Sequence, residues 1–345
     1  MSMTLCEEAS EVNANPFILI VWAWVIICNT PGIVYTLHVC KLIASSQVEI
    51  FHIDLRIIFV NLSLGLIFRS LGTSVCAVQQ LFLAATWSDK CDFVQDAYYC
   101  MVQAKVNLTP FNTCVYSYLA VALERSYATL NYRTYEKKRY RAVSFLVSAA
   151  TWIHPLIDLV NTVRRDVPEP RERSYCNRAA DQPQPGLQQP NHTLLHFLGH
   201  FRCPLRLLFE EEENDHQEPV SECSTQEHSL TGRFQLVENI RASRIILPNA
   251  IIFGVITLLN ILFLYLLEIS KKHHGLAAFA VFKELMSLTV PVYINIYAWI
   301  FILRCPQFAQ RTWIVRRFKR FTKKTMTEEP ESPSEHFKML KSFWC

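Results

Sequence analysis

Three sets of residues in this sequence have the types and spacing to do chemistry. His192, His196 and His200 fall at i, i+4 and i+8, so on a helix their imidazoles would share one face and could hold a metal ion. A membrane di-iron or zinc enzyme needs more carboxylates or imidazoles on neighbouring helices, and the remaining histidines are dispersed apart from His273 and His274. No metal and no cofactor is expected. Glu124, Arg125 and Tyr127, within Glu-Arg-Ser-Tyr, form a second set: Arg125 can pair with Glu124 in one state and be released to a partner in another. The plainer alternative is an arginine at a helix end whose charge snorkels to lipid headgroups. Arg69, Lys105, Asp158 and Glu284 are the third set, charges set within apolar runs. They suit either a pocket for an anionic or polar group or internal ion pairs in which Asp158 and Glu284 supply the acids. The sequence has 12 Cys but no CxxC pair, which excludes the common zinc frameworks and leaves isolated thiols and a bridge or two. GxGxxG, Walker, HExxH and GxSxG patterns are also missing, so no enzyme is expected.

The elements that must position these groups are written in the composition. Of 345 residues, 51% are hydrophobic and 19% charged, and the mean hydropathy is +0.15, more apolar mass than a soluble domain of this size carries. The net charge of +4 is too even to argue for nucleic acid. Residues 16–43 exceed the ~20 needed to cross a bilayer and predict a first transmembrane helix. The acidic residues before it, Glu7, Glu8 and Glu11, have the wrong sign for a cleavable signal peptide. Further spans are expected at about 56–84, 100–124, 142–163, 245–268 and 276–303.

Sidedness follows from the loops. Residues 131–141 carry five basic side chains against Glu136, and 304–324 carry eight with no acid, so both belong in the cytosol. Residues 1–15 and 84–99 are acidic and belong outside. An outside N-terminus and an inside C-terminus need an odd number of crossings, which requires a hidden fifth span between 164 and 244. Its best candidate is 193–209, short and burdened with His196, His200, Arg202 and Arg206. The expected architecture is therefore all-α: a multi-pass bundle of seven transmembrane helices over 16–305, with a degraded or atypical fifth span. The 306–345 segment is read as a cytoplasmic basic amphipathic helix and tail lying on the inner leaflet.

Cys100 opens the third span at its outer end and Arg125 closes it at the inner one. Cys176, in the following extracellular loop, is the natural bridge partner for Cys100. Cys91 competes with Cys100, and Cys6, Cys203 and Cys223 compete with Cys176, so spacing leaves the connectivity open. Asn191 heads the sequon in an extracellular loop, whereas those at Asn61 and Asn107 fall inside spans. Cys305, where the tail begins, is a candidate for palmitoylation.

FHIDLRIIFVNL entering the second span, ALERSYATLNYRTYEKKRYR leaving the third and RFQLVENIRASR before the sixth resemble the nematode serpentine chemoreceptors. The likeness covers roughly 50–176 and 230–305 and lies within the superfamily of classes a, ab, b and e, with class e the first choice. It implies a plasma-membrane G-protein-coupled receptor of sensory neurons that detects small environmental chemicals. It also implies Glu-Arg-Ser-Tyr as the G-protein switch and Cys100–Cys176 as the bridge. The expected partners are a small-molecule ligand, a heterotrimeric G protein and the lipid bilayer; a receptor dimer stays open. The rival readings are a ligand-gated ion channel, a non-signalling product of an aberrant gene model and, more remotely, a membrane metalloenzyme. PVYINIY at 291–297 supplies Pro291, Asn295 and Tyr297 without the Asn-Pro order of rhodopsin-like receptors, so their activation details do not transfer.

Overall fold

The computed structural model describes residues 5–45, 51–130, 141–164, 172–173, 230–305, 308–309 and 312. The expected fifth span at 193–209, His192, His196, His200, Asn191, Cys176 and nearly all of 306–345 lie outside the described residues. Two compact units, Met1–Ile300 and Phe301–Cys345, divide the chain.

Seven helices run through the described residues in the order α1 (Leu5–Asn13), α2 (Pro16–Ala44), α3 (Ile53–Thr86), α4 (Ala97–Leu130), α5 (Arg141–Arg164), α6 (Leu230–Ser287) and α7 (Thr289–Arg304). A 3-10 turn at Lys90–Phe93 and two short strands, β1 (Gln95–Asp96) and β2 (Glu172–Arg173), complete them. Five segments are long and apolar enough to cross a membrane: Pro16–Ala44, Ile53–Thr86, Ala142–Asn161, Ala242–Phe263 and Phe279–Arg304. These match the expected first, second, fourth, sixth and seventh spans. The fourth helix matches α3 in length at 34 residues, but it carries more polar side chains and packs against α3, α5 and α6. The all-α, multi-pass membrane architecture read from the sequence stands.

Helical assignment runs without a break from Leu230 to Ser287, through the stretch expected to be a loop between the last two spans. Nevertheless Asn260 Nδ2 donates to Thr289 Oγ1 at 2.9 Å, and the rings of Phe253 and Tyr293 lie 5.2 Å apart. A straight helix would separate Asn260 from Thr289 by roughly 43 Å at 1.5 Å per residue. The chain therefore doubles back between them, and α6 and α7 supply two antiparallel limbs.

Local chemistry sets the helix ends. Asn15 caps α2 by accepting from the Phe17 N–H at 3.0 Å, with Pro16 in the first turn, where a missing N–H costs nothing. Asp96 does the same for α4, accepting from Tyr98 N at 2.6 Å and Tyr99 N at 3.2 Å. The far end of α2 is closed by a neighbour: Arg56 on α3 donates from Nε to the Ile43 carbonyl at 2.8 Å and from Nη2 to those of Ala44 and Ser45 at 3.0 and 2.5 Å. Terminal carbonyls otherwise lack partners, and a cation there also offsets the negative pole of the helix. Arg56→Ala is expected to lower stability by about 2 kcal/mol, read as a fall in thermal unfolding midpoint in nanodiscs.

Close packing rests on two glycines. A Cβ at Gly65 would meet Cys114 Sγ at 2.9 Å, and one at Gly32 would meet Ile294 Cγ2 at 2.5 Å, so α3 approaches α4, and α2 approaches α7, only because these residues have no side chain. At the end of the bundle that carries α1, Val12 of that helix joins Ile18, Trp22, Val25, Ala77 and Ala280 in one apolar cluster. A Cys6–Cys91 disulfide ties α1 to the 3-10 turn. Within that turn Asp92 Oδ2 accepts from the backbone N–H groups of Ser88 and Asp89 at 2.8 and 3.0 Å, and these bonds hold its carboxyl below the usual aspartate range. Sequence reading left residues 1–15 as an extracellular N-terminus with no assigned element; the structure makes 5–13 a packed helix with Ala9, Val12 and Asn13 buried.

Candidate functional site

The charges expected to share one pocket are divided among three places. Lys105 on α4 is buried and forms an ion pair with Asp158 on α5. Glu284 on α6 accepts from the Trp22 indole N–H of α2 at 3.2 Å and from its neighbour Lys283 at 3.2 Å. Arg69 on α3 reaches neither acid: its Nη1 donates to the Asn107 carbonyl of α4 at 2.7 Å, and its Nε is buried with no hydrogen-bond partner. Of the two alternatives the sequence left open, the internal ion pair describes Lys105 and Asp158 and fails for Arg69. Asn107, which sequence reading noted only as an inaccessible sequon, also donates to Cys76 Sγ at 3.1 Å and so fastens α4 to two points on α3.

Polar side chains knot the middle of the bundle. Asn61 of α3 donates to Ser117 Oγ of α4 at 2.9 Å and Thr151 Oγ1 of α5 at 3.0 Å, and accepts from the Trp152 indole N–H at 2.8 Å. Asn29 of α2 donates to the Ser70 carbonyl, Thr73 and Ser74 of α3 at 3.0–3.2 Å. Asn295 of α7 donates to the Cys28 carbonyl of α2 at 2.8 Å. In an apolar solvent such groups must find partners inside the protein, so each asparagine fixes the register of helices that apolar contact alone would let slide.

Beside the knot lies a buried aromatic cluster that sequence reading missed. Phe253 of α6 stacks on Tyr118 of α4, with centroids 4.8 Å apart, and also touches Phe111 of α4 and Tyr293 of α7. The Tyr118 and Tyr293 hydroxyls are hydrogen-bonded to each other, and Tyr297 shares a 2.8 Å bond with Ser63. Asn107, Phe111, Tyr118 and Arg125 recur on α4 at intervals of four, seven and seven, which is one face of a helix. That spacing is the sequence signal that could have found the cluster. The face runs ~27 Å from Asn107 to Arg125.

Arg125 is 7% exposed and forks onto Glu124, Nε to Oε2 and Nη2 to Oε1, both at 2.5 Å. Two parallel charge-assisted bonds between a planar guanidinium and a planar carboxylate make the strongest polar contact available to an arginine. The pairing expected between these neighbours is thus present. Tyr127 of the same motif is exposed at 45%.

Cys100 is disulfide-bonded, while Cys176 lies outside the described residues. With Cys6 and Cys91 bridged to one another, neither competes any longer for the partners first considered. Sequence reading had set these two against Cys176 and Cys100 without pairing them. Cys305 is free, 2% exposed and has its thiol pushed up to about 12 by burial, so acylation there would require the end of α7 to open. Among the described residues no group of His, Cys, Asp or Glu is placed to hold a metal.

Comparison with known proteins follows the same outline. The family model of serpentine-type seven-transmembrane G-protein-coupled receptor class ab chemoreceptors matches residues 3–344. Serpentine receptor class alpha/beta-14 of Caenorhabditis elegans is 24% identical over 352 residues, an alignment that covers 98% of this chain and 87% of that protein. The match falls in the superfamily the sequence resembles, and within it in class ab, where the motifs had put class e first.

Proposed function

Because the chain belongs to the class ab family of serpentine seven-transmembrane chemoreceptors, we propose that it binds a small environmental chemical between the helices at the α1 end and signals to a heterotrimeric G protein at the opposite end. The observation that carries this reading is the placement of Asn107 and the forked Glu124–Arg125 pair on one helix, ~27 Å apart. A ligand that favours a shifted or rotated α4 biases the fork toward opening, and a freed Arg125 is a donor set for the carboxyl or carbonyl groups of a cytosolic partner.

Orientation has two independent supports. A disulfide at the α1 end suits the oxidising side of a plasma membrane, and the basic segments 131–141 and 304–324 lie on the cytosolic side by charge. Odd parity then places the fifth crossing between α5 and α6, with 193–209 as its segment and Asn191 as the outward glycosylation site. We assign Cys176 as the partner of Cys100. The register of β1 and β2 sets Arg173 opposite Gln95, three residues short of Cys176 and five before Cys100, within the reach of an extended chain.

Epitope tags at the N-terminus, within 215–228 and at the C-terminus test the threading. Before permeabilisation only the first should stain; staining of both ends, or of neither, would remove the receptor reading, and the middle tag should require permeabilisation. In the same cells an active odorant should drive nucleotide exchange on a co-expressed G protein. Whole-cell current without any G protein would instead identify a channel.

A further inference from the structure

Among the basic side chains described inside the bundle, Lys105, Lys283 and Arg125 each meet a carboxylate, and Arg56 meets the carbonyls at a helix end. Arg69 meets one backbone carbonyl and no acid. It stands on α3 eight residues beyond Asn61 toward the α1 end, level with Asn107, and so at the floor of the region assigned above to the ligand. A guanidinium carries five N–H donors, and a charge at this depth of a membrane bundle ordinarily has its counter-charge built in, as Lys105 has in Asp158. The buried Nε of Arg69 is without an acceptor, as is the buried Ser70 hydroxyl beside it in sequence, and Asn107 Oδ1 is also unpartnered. Polar atoms left bare in this way cost free energy until something supplies their bonds.

We infer that Arg69 receives the carboxylate of a monoanionic organic acid, an inference that rests on the receptor reading and names the class of ligand it takes. Charge selects one negative unit: a carboxylate neutralises one guanidinium, whereas a doubly charged phosphate would leave an uncompensated anion in the bundle. Geometry selects a planar group, because the guanidinium edge made by Nε and its neighbouring terminal nitrogen matches two carboxylate oxygens. The rest of the ligand is apolar or aromatic, to suit the inside of a membrane bundle in which Phe111 lies one helical turn from Asn107 on the same face of α4.

The full chain in phosphatidylcholine nanodiscs, where acidic lipid cannot supply the anion, is titrated with straight-chain acids from butanoate to dodecanoate and with the corresponding primary amides and alkyl phosphates. Thermal unfolding is followed by tryptophan fluorescence. The acids should raise the midpoint saturably, and the amides and phosphates should not. R69K should retain the effect with an affinity at least about tenfold weaker, since an ammonium lacks the fork. R69Q should lose it and, freed of an uncompensated cation, should unfold at a higher temperature than the parent when no ligand is present. Equal stabilisation by amides, an unchanged response in R69Q, or no response to any acid would overturn the inference. The assay contains no G protein, so acid binding without nucleotide exchange in cells would discard the receptor reading and keep Arg69 as an anion site. Exchange driven by a neutral compound, indifferent to R69Q, would do the reverse.

Discussion

Arg125→Ala is expected to abolish ligand-evoked nucleotide exchange while leaving the protein at the cell surface. The guanidinium lies in the last turns of α4 and forks onto Glu124; because the side chain is buried, surface expression of the variant is measured beside exchange, with Arg125→Lys and Arg125→Gln as variants that keep most of its volume. What disappears is the donor set presented when the fork opens. The companion variant Glu124→Gln points the other way: a bidentate charged pair worth about 1.5–3 kcal/mol holds the closed state, and its loss should raise basal exchange roughly ten- to a hundredfold. Measuring exchange in membranes matched for receptor number separates the two effects from expression. If Arg125→Ala signals normally, or Glu124→Gln is silent, the pair is only an anchored helix end.

Asn61→Leu is expected to have the largest effect on stability. Its amide serves three partners on two helices, the hydroxyls of Ser117 and Thr151 and the indole of Trp152; leucine would strand the indole N–H in a medium that offers no water and leave the two hydroxyls only their bonds to the Thr113 and Ser148 carbonyls. Interhelical hydrogen bonds in membranes average about 0.6 kcal/mol and reach about 1.7, so three of them together with the stranded indole sum to roughly 2–4 kcal/mol. The measurement is the unfolding midpoint of the purified chain in nanodiscs, with Trp152→Phe as the second arm of a double-mutant cycle. Strong non-additivity is expected, because Trp152 and Asn61 act through one bond. An unchanged midpoint in Asn61→Leu would show that the knot is incidental to packing.

The spans were readable because a bilayer demands length and apolarity and little else. Pro16–Ala44 and Arg141–Arg164 lie within a residue of the expected 16–43 and 142–163. Where the environment is not lipid the reading weakens: α4 begins at Ala97 and ends at Leu130, beyond the expected 100–124, because its ends project past the hydrocarbon and lose the hydropathy signal. The packing of α1 was hidden for a similar reason. LCEEASEVN looks like a solvated acidic N-terminal segment, and only the spacing of Ala9, Val12 and Asn13 hints at a buried face. Pairings were harder still. Asp158 was visible as an acid available to Lys105 or Arg69, but choosing between them requires knowing how α4 and α5 are rotated, which apolar helices do not record in their sequences. The Tyr118–Phe253–Tyr293 cluster joins residues from three helices, and only its α4 members leave a periodic trace.

The Cys6–Cys91 bridge has an implication for biosynthesis, since the two thiols are 85 residues apart and α2 and α3 lie between them. With the outward N-terminus proposed above, Cys6 would enter the endoplasmic reticulum lumen early in translation, and Cys91 would arrive only after the first hairpin had passed through the translocon in the correct sense. In that orientation oxidation at this site would report proper insertion of that hairpin before the remaining helices are made, and a misthreaded nascent chain would reach quality control with Cys6 still reduced.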